Sequence, residues 1–212
     1  MVECQMNHIL KSLHPYIVLS FLRKFSSSYG NFAKEIIEFP VVQLSAKNFE
    51  EVGRFHRYVR PTERPILTSF CTDLTGIVQE TVANQETLPE VLGAFNKWLI
   101  DSNLINSDNS MKSRFTFVTC GDWDLGVLLP NEANYFKKWI NLKKAFCKWK
   151  GYFAKSLTVM LRDLELNHVG RLHSGIDDVR NICQITRYLA RSGYLFRNTS
   201  IYVDEKNDFE NL

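Results

Sequence analysis

Two short stretches hold the residues best suited to chemistry. The first is His168-Val-Gly-Arg-Leu-His-Ser-Gly-Ile-Asp-Asp178, where His173 stands just ahead of a helix start at Gly175 and Asp178 falls near that helix's first turn. A neutral imidazole so placed can take a proton from water, while a carboxylate beside it holds a cation that lowers the water's pKa. The second is Phe117-Val-Thr-Cys-Gly-Asp-Trp-Asp-Leu125, which reads as a strand running into Asp122 and Asp124 around a tryptophan. The carboxyl end of a strand is the usual place for a catalytic acid in an α/β fold. Taken singly, each stretch is better explained by ordinary structure. Acids in a first turn complement the helix dipole, and an aspartate after a strand caps the next element.

The elements that must position these residues can be read from periodicity. Tyr16-Ile-Val-Leu-Ser-Phe-Leu22 is a continuous apolar run with β-branched members and predicts a buried strand. Glu35 to Leu44 predicts a second, with Pro40 marking a bulge or an edge, and Phe55 to Val59 a third. Together they predict an antiparallel meander at the start of the domain. Thr87-Leu-Pro-Glu90 is a capping box, and Leu88, Val91, Leu92, Phe95, Trp98 and Leu99 then share one helical face. Arg114 to Thr119 predicts a fourth strand. Leu157, Met160, Leu161 and Leu164 predict a short helix, and Ile176 to Leu189 a longer one stopped by Gly193. The result is an α/β domain with a mixed sheet flanked by helices. Residues 1–14 read as a leader, 15–198 as the domain and 199–212 as a C-terminal tail.

Composition narrows the function classes. The 212 residues are 45% hydrophobic and 23% charged, an ordinary globular balance for one domain. A net charge of +3 permits a nucleic-acid partner without demanding one. The five cysteines are scattered with no C-x-x-C pair, which argues against both a disulfide framework and a structural zinc site. No apolar run reaches the roughly 18 residues of a membrane span. The expectation is reduced thiols, a cytoplasmic or nuclear location, and no membrane partner.

Five ordered segments resemble one family. They are Glu35-Ile-Ile-Glu-Phe-Pro40, Phe70-Cys-Thr-Asp-Leu-Thr-Gly-Ile77, Val118-Thr-Cys-Gly-Asp-Trp-Asp124, Tyr135-Phe-Lys-Lys-Trp-Ile-Asn141 and His173-Ser-Gly-Ile-Asp-Asp178. Together they are similar to the DEDDh (DnaQ-like) 3′-5′ exonucleases, in the branch of the histone-mRNA and RNA-interference-limiting exoribonucleases, over roughly residues 16 to 197. The resemblance implies an RNase H-like sheet and a site where four carboxylates hold two Mg²⁺ ions and a histidine activates water. Carried over, Asp124 matches the second-motif ligand, His173 the general base and Asp178 the third-motif ligand. Leu74, Thr75, Gly76 and Ile77 match the segment bordering the 3′-terminal nucleotide, with Phe21 beside the first motif. Lys137 and Lys138 open a basic stripe, continued by Lys143, Lys144, Lys148 and Lys150 and interleaved with Phe136, Trp139, Phe146 and Trp149. Such a stripe can hold phosphates and stack bases. Helical spacing, however, puts the aromatics on an inner face, leaving Lys137 and Lys138 as the phosphate contacts.

The first motif departs from the family. Where Asp-x-Glu is expected, the chain reads Ser20-Phe21-Leu22, followed by Arg23 and Lys24. Leu22 offers no donor, Ser20 only a neutral hydroxyl, and two cations replace two anions. Magnesium needs oxygen ligands with at least one or two carboxylates, so one ion or none is expected. Glu35 or Glu38 on the next strand could rescue the site only by pointing into it. The expected function is an exonuclease-fold protein with impaired catalysis that binds single-stranded RNA or RNA 3′ ends. The alternatives are an active Mg²⁺-dependent exonuclease with an unorthodox site and a protein–protein adaptor.

Overall fold

Tyr16–Leu19 forms β1, and its alternation sorts the core. Ile17 and Leu19 enter the apolar cluster on one face of the sheet, and Val18 the cluster on the other. The strand is covered on both sides, which explains why it reads as a continuous apolar run. The computed structural model describes residues 15–23, 35–129, 132–206 and 208–212. The leader expected at 1–14, and most of the polar stretch after Arg23, lie outside the described residues.

β1 pairs antiparallel with β3 (Ile36–Leu44), which in turn pairs antiparallel with β4 (Glu51–Tyr58). This is the expected three-stranded opening, with one correction: Tyr16 to Leu22 is not a single strand. The chain breaks at Ser20 and Phe21, and β2 (Leu22–Arg23) pairs with a different part of β3 across a register shift. Pro40 falls between the stretch of β3 that faces β1 (Val41–Leu44) and the stretch that faces β2 (Ile36–Glu38). An imino acid is tolerated in this interior strand because no β1 or β2 residue is registered against it.

After two short helices, α1 (Ser69–Thr75) and α2 (Gln79–Ala83), comes α3 (Leu88–Asp101). Glu90 reaches back to the Thr87 N–H at 2.7 Å, as the capping box predicts, and Val91, Phe95 and Leu99 are buried against the sheet. β5 (Thr116–Thr119) and β6 (Lys138–Asn141) lie parallel to β1. α4 (Leu142–Lys150), α5 (Leu157–Asp163) and α6 (Gly175–Arg191) cover the second face, where Phe146, Met160 and Ile182 meet Val18, Val118 and Ile140.

Two further differences concern the right-hand half of the sheet. The stretch from Lys137 to Lys150 is not one helix, because Lys138–Asn141 is drawn into the sheet as β6 before α4 begins. Residues 199–212, expected as a tail, carry β7 (Ser200–Val203) and β8 (Asp208–Asn211), which extend the sheet antiparallel from β6. The result is an eight-stranded mixed sheet in the order β2-β3-β1-β5-β6-β7-β8, with β4 also on β3.

Candidate active site

The carboxyl ends of β1 and β5 open into a cleft of about 280 Å³. It is lined by Ser20 and Cys120, each one residue past its strand, by Leu172, His173 and Asp178, and by Ser156, Leu157 and Thr158. The structure thus brings Ser20, His173 and Asp178 together, as their motif positions require. Asp124 opens a π-helical turn (Asp124–Leu128), and its Oδ1 accepts the Phe21 N–H at 2.9 Å. That bond joins the Asp122–Asp124 segment to the break after β1, beside Ser20 and Leu22.

Asp178 lies in an acidic field. Burial pushes its carboxyl up to about 7, and the nearby charges of Glu38, Asp177 and Asp124 add to the effect. Cys120 is no substitute anion, since burial pushes its thiol up to about 12 and only a thiolate is a good ligand or nucleophile. His173 is exposed at the cleft rim and holds a backbone φ of 61°, a left-handed conformation unusual for a residue with a Cβ.

The neighbouring acids are committed elsewhere. Asp122 accepts from Ser200 Oγ (2.6 Å), Trp139 Nε1 (2.9 Å) and Asn141 Nδ2 (2.9 Å) and pairs with Lys144 at 2.8 Å. Burial works to raise its carboxyl, but Lys144, Ser200 and Asn141 outweigh it and hold the group below the usual aspartate range. Asp177 is likewise penalised by burial, yet the Arg171 N–H, Ser174 and Arg180 hold it down. Glu35 accepts three successive backbone N–H groups, from Thr62, Glu63 and Arg64, at 2.7–3.0 Å.

Glu38, which sequence reasoning offered only as a spare ligand, has a different task. It lies on the face of β3 that carries Val42 and Leu44, is 2% exposed, and caps α6 from across the fold. Its Oε2 accepts the Gly175 N–H at 2.9 Å, and its Oε1 accepts the Ile176 N–H at 3.2 Å and meets His56 Nε2 at 2.9 Å. The carboxylate therefore sits at the positive end of the helix that carries Asp178. Gly175 is needed for that approach, because a Cβ there would lie 2.9 Å from Oε2.

Several expected nucleic-acid contacts fall elsewhere. Phe21 is 5% exposed, with its ring against Phe39 at 4.5 Å, so the core and not a ligand holds it. Within Leu74–Ile77, Thr75 and Ile77 are buried; Thr75 Oγ1 donates to the Cys71 carbonyl and accepts the Ile77 N–H. Only Leu74 and Gly76 remain accessible there. Lys138 is registered beside the start of β5, at the end opposite the cleft, and Lys137 pairs with Asp204 at 2.5 Å. Neither reaches the site, because three residues of strand, ~10 Å, separate Lys138 from the strand end at Asn141. Phe136, Trp139 and Phe146 are fully buried and Trp149 half-buried, but Phe136 lies in a 3-10 turn and Trp139 in β6, not on the helix face expected for them.

Could this donor set hold a metal? Asp124 and Asp178 are the two carboxylates at matching positions, and Ser20 adds a neutral hydroxyl. Among the described residues no group of three or more His, Cys, Asp or Glu side chains is arranged to hold an ion. No helix among them is long and apolar enough to cross a membrane.

The sheet order, the cleft at the parallel strand ends and the order of the motifs define a 3′-5′ exonuclease fold. The exonuclease (RNase_T) family model matches residues 30–186, and the chain belongs to that family. Human ERI1 exoribonuclease 3 is 46% identical over 176 residues, which cover 79% of this chain and 51% of the human protein. The chain thus spans about half the length of that curated relative. Two solved structures share its architecture and support the DEDDh 3′-5′ exoribonuclease branch. One, described as 3′-end specific recognition of a histone mRNA stem-loop by a 3′-exonuclease, has a TM-score of 0.85 at 28% identity, covering 94% of this chain and 91% of that one. The other, the nuclease domain of 3′hExo, a DEDDh family member bound to rAMP, has a TM-score of 0.81 at 30% identity, covering 88% and 96%.

Proposed function

We propose that this chain binds RNA 3′ ends in the cleft beside His173 and cleaves them weakly or not at all. The observation that carries the proposal is the chemistry at the end of β1. Ser20 and Leu22 stand where the family's first motif needs two carboxylates, and Glu38 on β3 and Glu35 just before it are spent on backbone N–H groups. Two-metal phosphoryl chemistry needs both ions to stabilise the entering and leaving oxygens. The donor set here does not fit a pair of Mg²⁺ ions, and no hydrolytic step is assigned to one.

The binding half of the proposal draws on the relatives described as recognising an RNA stem-loop and as bound to rAMP. Leu74 and Gly76 supply accessible surface, with Gly76 against Arg171, the residue before the cleft residue Leu172, and His173 and Thr158 supply hydrogen-bonding groups within the cleft. All four cysteines of the described region are free thiols, which accords with a cytoplasmic or nuclear location.

The test is trimming of a 5′-labelled single-stranded RNA with Mg²⁺ or Mn²⁺, comparing the natural chain with Ser20→Asp plus Leu22→Glu. An inert natural chain and stepwise 3′ trimming by the double variant are expected. Trimming by the natural chain that His173→Ala abolishes would show that other groups complete the metal site.

A further inference from the structure

Arg171 ties the α1 cap to the turn that carries the cleft residues Leu172 and His173, segments that lie far apart in the chain. Its Nη2 donates to the Asp73 carbonyl at 2.6 Å, across 98 residues of sequence. Its guanidinium also lies on Gly76: a Cβ there would fall 2.2 Å from Nη1 and 2.9 Å from Cζ. Gly76 is the left-handed cap of α1, with φ of 78°, so a side chain there would meet both backbone strain and the arginine.

The same residue opens the turn that carries His173. The Ser174 N–H donates to the Arg171 carbonyl at 3.3 Å, which puts His173 third in a four-residue turn. With φ of 61° it occupies a place that favours glycine or asparagine, and such a conformation persists only where the surroundings over-determine it. Here they do. The Arg171 N–H donates to Asp177 Oδ2 at 3.0 Å. Gly170, at φ 75°, packs so closely that a Cβ would lie 2.2 Å from Asp177 Cγ.

We propose that Arg171 is a positioning residue that couples occupancy of the Leu74–Ile77 turn to the placement of His173. The proposal rests on the RNA 3′-end reading above and says how that site responds to its ligand. A nucleotide seated on Leu74 and Gly76 bears on the α1 cap, and the planar guanidinium, hydrogen-bonded to Asp73 and packed against Gly76, passes the displacement to the His173 turn. Lysine can replace the donor to Asp73 but not the second guanidinium nitrogen packed against Gly76.

The experiment follows the His173 imidazole proton–carbon NMR signal in the full natural chain, assigned by its loss in His173→Asn. The probe is a single-stranded oligoadenylate with a free 3′-hydroxyl. A saturable movement of the signal is expected. At saturating RNA the movement shrinks about fivefold in Arg171→Ala, the worth of roughly one hydrogen bond, and Arg171→Lys restores part of it. Movement of full size in Arg171→Ala overturns the proposal. If the natural chain binds no RNA, the binding reading fails by itself and the coupling is decided in the free protein. Amide exchange at Gly76 and at Ser174 then quickens together in Arg171→Ala, each by about fivefold. Quickening at one amide alone, or at neither, overturns it.

Discussion

At the scale of single residues, a half-buried carboxylate, Asp178, and a buried one, Glu38, act on one helix with opposite energetic signs. Asp178 is held near 7 in the folded protein by burial and by the charges of Glu38, Asp177 and Asp124, against about 3.9 in an unfolded chain. The folded state therefore binds the proton more tightly. Its contribution is fully favourable below about pH 4 and is lost as pH rises toward 7. Asp178→Asn should thus stabilise the protein at pH 8, by on the order of 2–4 kcal/mol, and change little at pH 3. Urea melts in the presence of a chelator measure this, and equal effects at both pH values would contradict the assignment. Glu38 works in the other direction, since its carboxylate satisfies the Gly175 and Ile176 N–H groups. Glu38→Ala strands both donors and should cost ~2–4 kcal/mol by chemical denaturation. A loss smaller than about 1 kcal/mol would mean that α6 holds its place without this cap.

At the scale of elements, the second motif is braced by strands that come after the family's matched region. Ser200 of β7 donates to Asp122, and Phe209 of β8 covers the π-helical turn that begins at Asp124. Gly126 in that turn has no room for a side chain: a Cβ would approach Phe209 Cδ1 to 2.5 Å. Phe209 also packs on Trp139, with ring centroids 6.0 Å apart. Gly126→Ala should therefore destabilise by ~1–3 kcal/mol through overpacking. Phe209→Ala in the same chain should recover part of that loss, because the two side chains contend for one space. Strict additivity in the double variant would show that β8 does not press on the turn. The first strand illustrates the same dependence on pairing. Ser20 and Phe21 belong to neither β1 nor β2, and Asp124 takes the Phe21 N–H that no strand partner uses.

At the scale of the whole molecule, charge limits how RNA can be held. A net charge of +3 is modest, and Lys137 and Lys144 are already paired with Asp204 and Asp122. Single-stranded binding weakens with salt by a slope of about −0.7 per phosphate contact. Three or four contacts near the cleft predict a slope of roughly −2 to −3 in log K against log salt. Anisotropy titrations across a range of salt concentrations give this value directly. A slope steeper than about −5 would require more phosphate contacts than three or four.

Much of this protein was legible in the order of its residues. The capping box at Thr87–Glu90, the helix after Gly175 and the strand into Cys120 follow from periodicity and punctuation, which act within a few residues. Motif order singled out His173, Asp124 and Asp178, of which His173 and Asp178 line one cleft, and the residues at Ser20 and Leu22 are read from the sequence alone. The splitting of Tyr16–Leu22, the capture of Lys138–Asn141 by the sheet and the strands at 200–211 were not legible, because pairing overrides local preference and its partners are distant. Glu38 meets Gly175 across 137 residues and Arg171 meets Asp73 across 98. Sequence spacing decided which groups could do chemistry; only the tertiary fold, by satisfying buried donors and acceptors over such separations, decided that Glu35 and Glu38 are committed to backbone N–H groups.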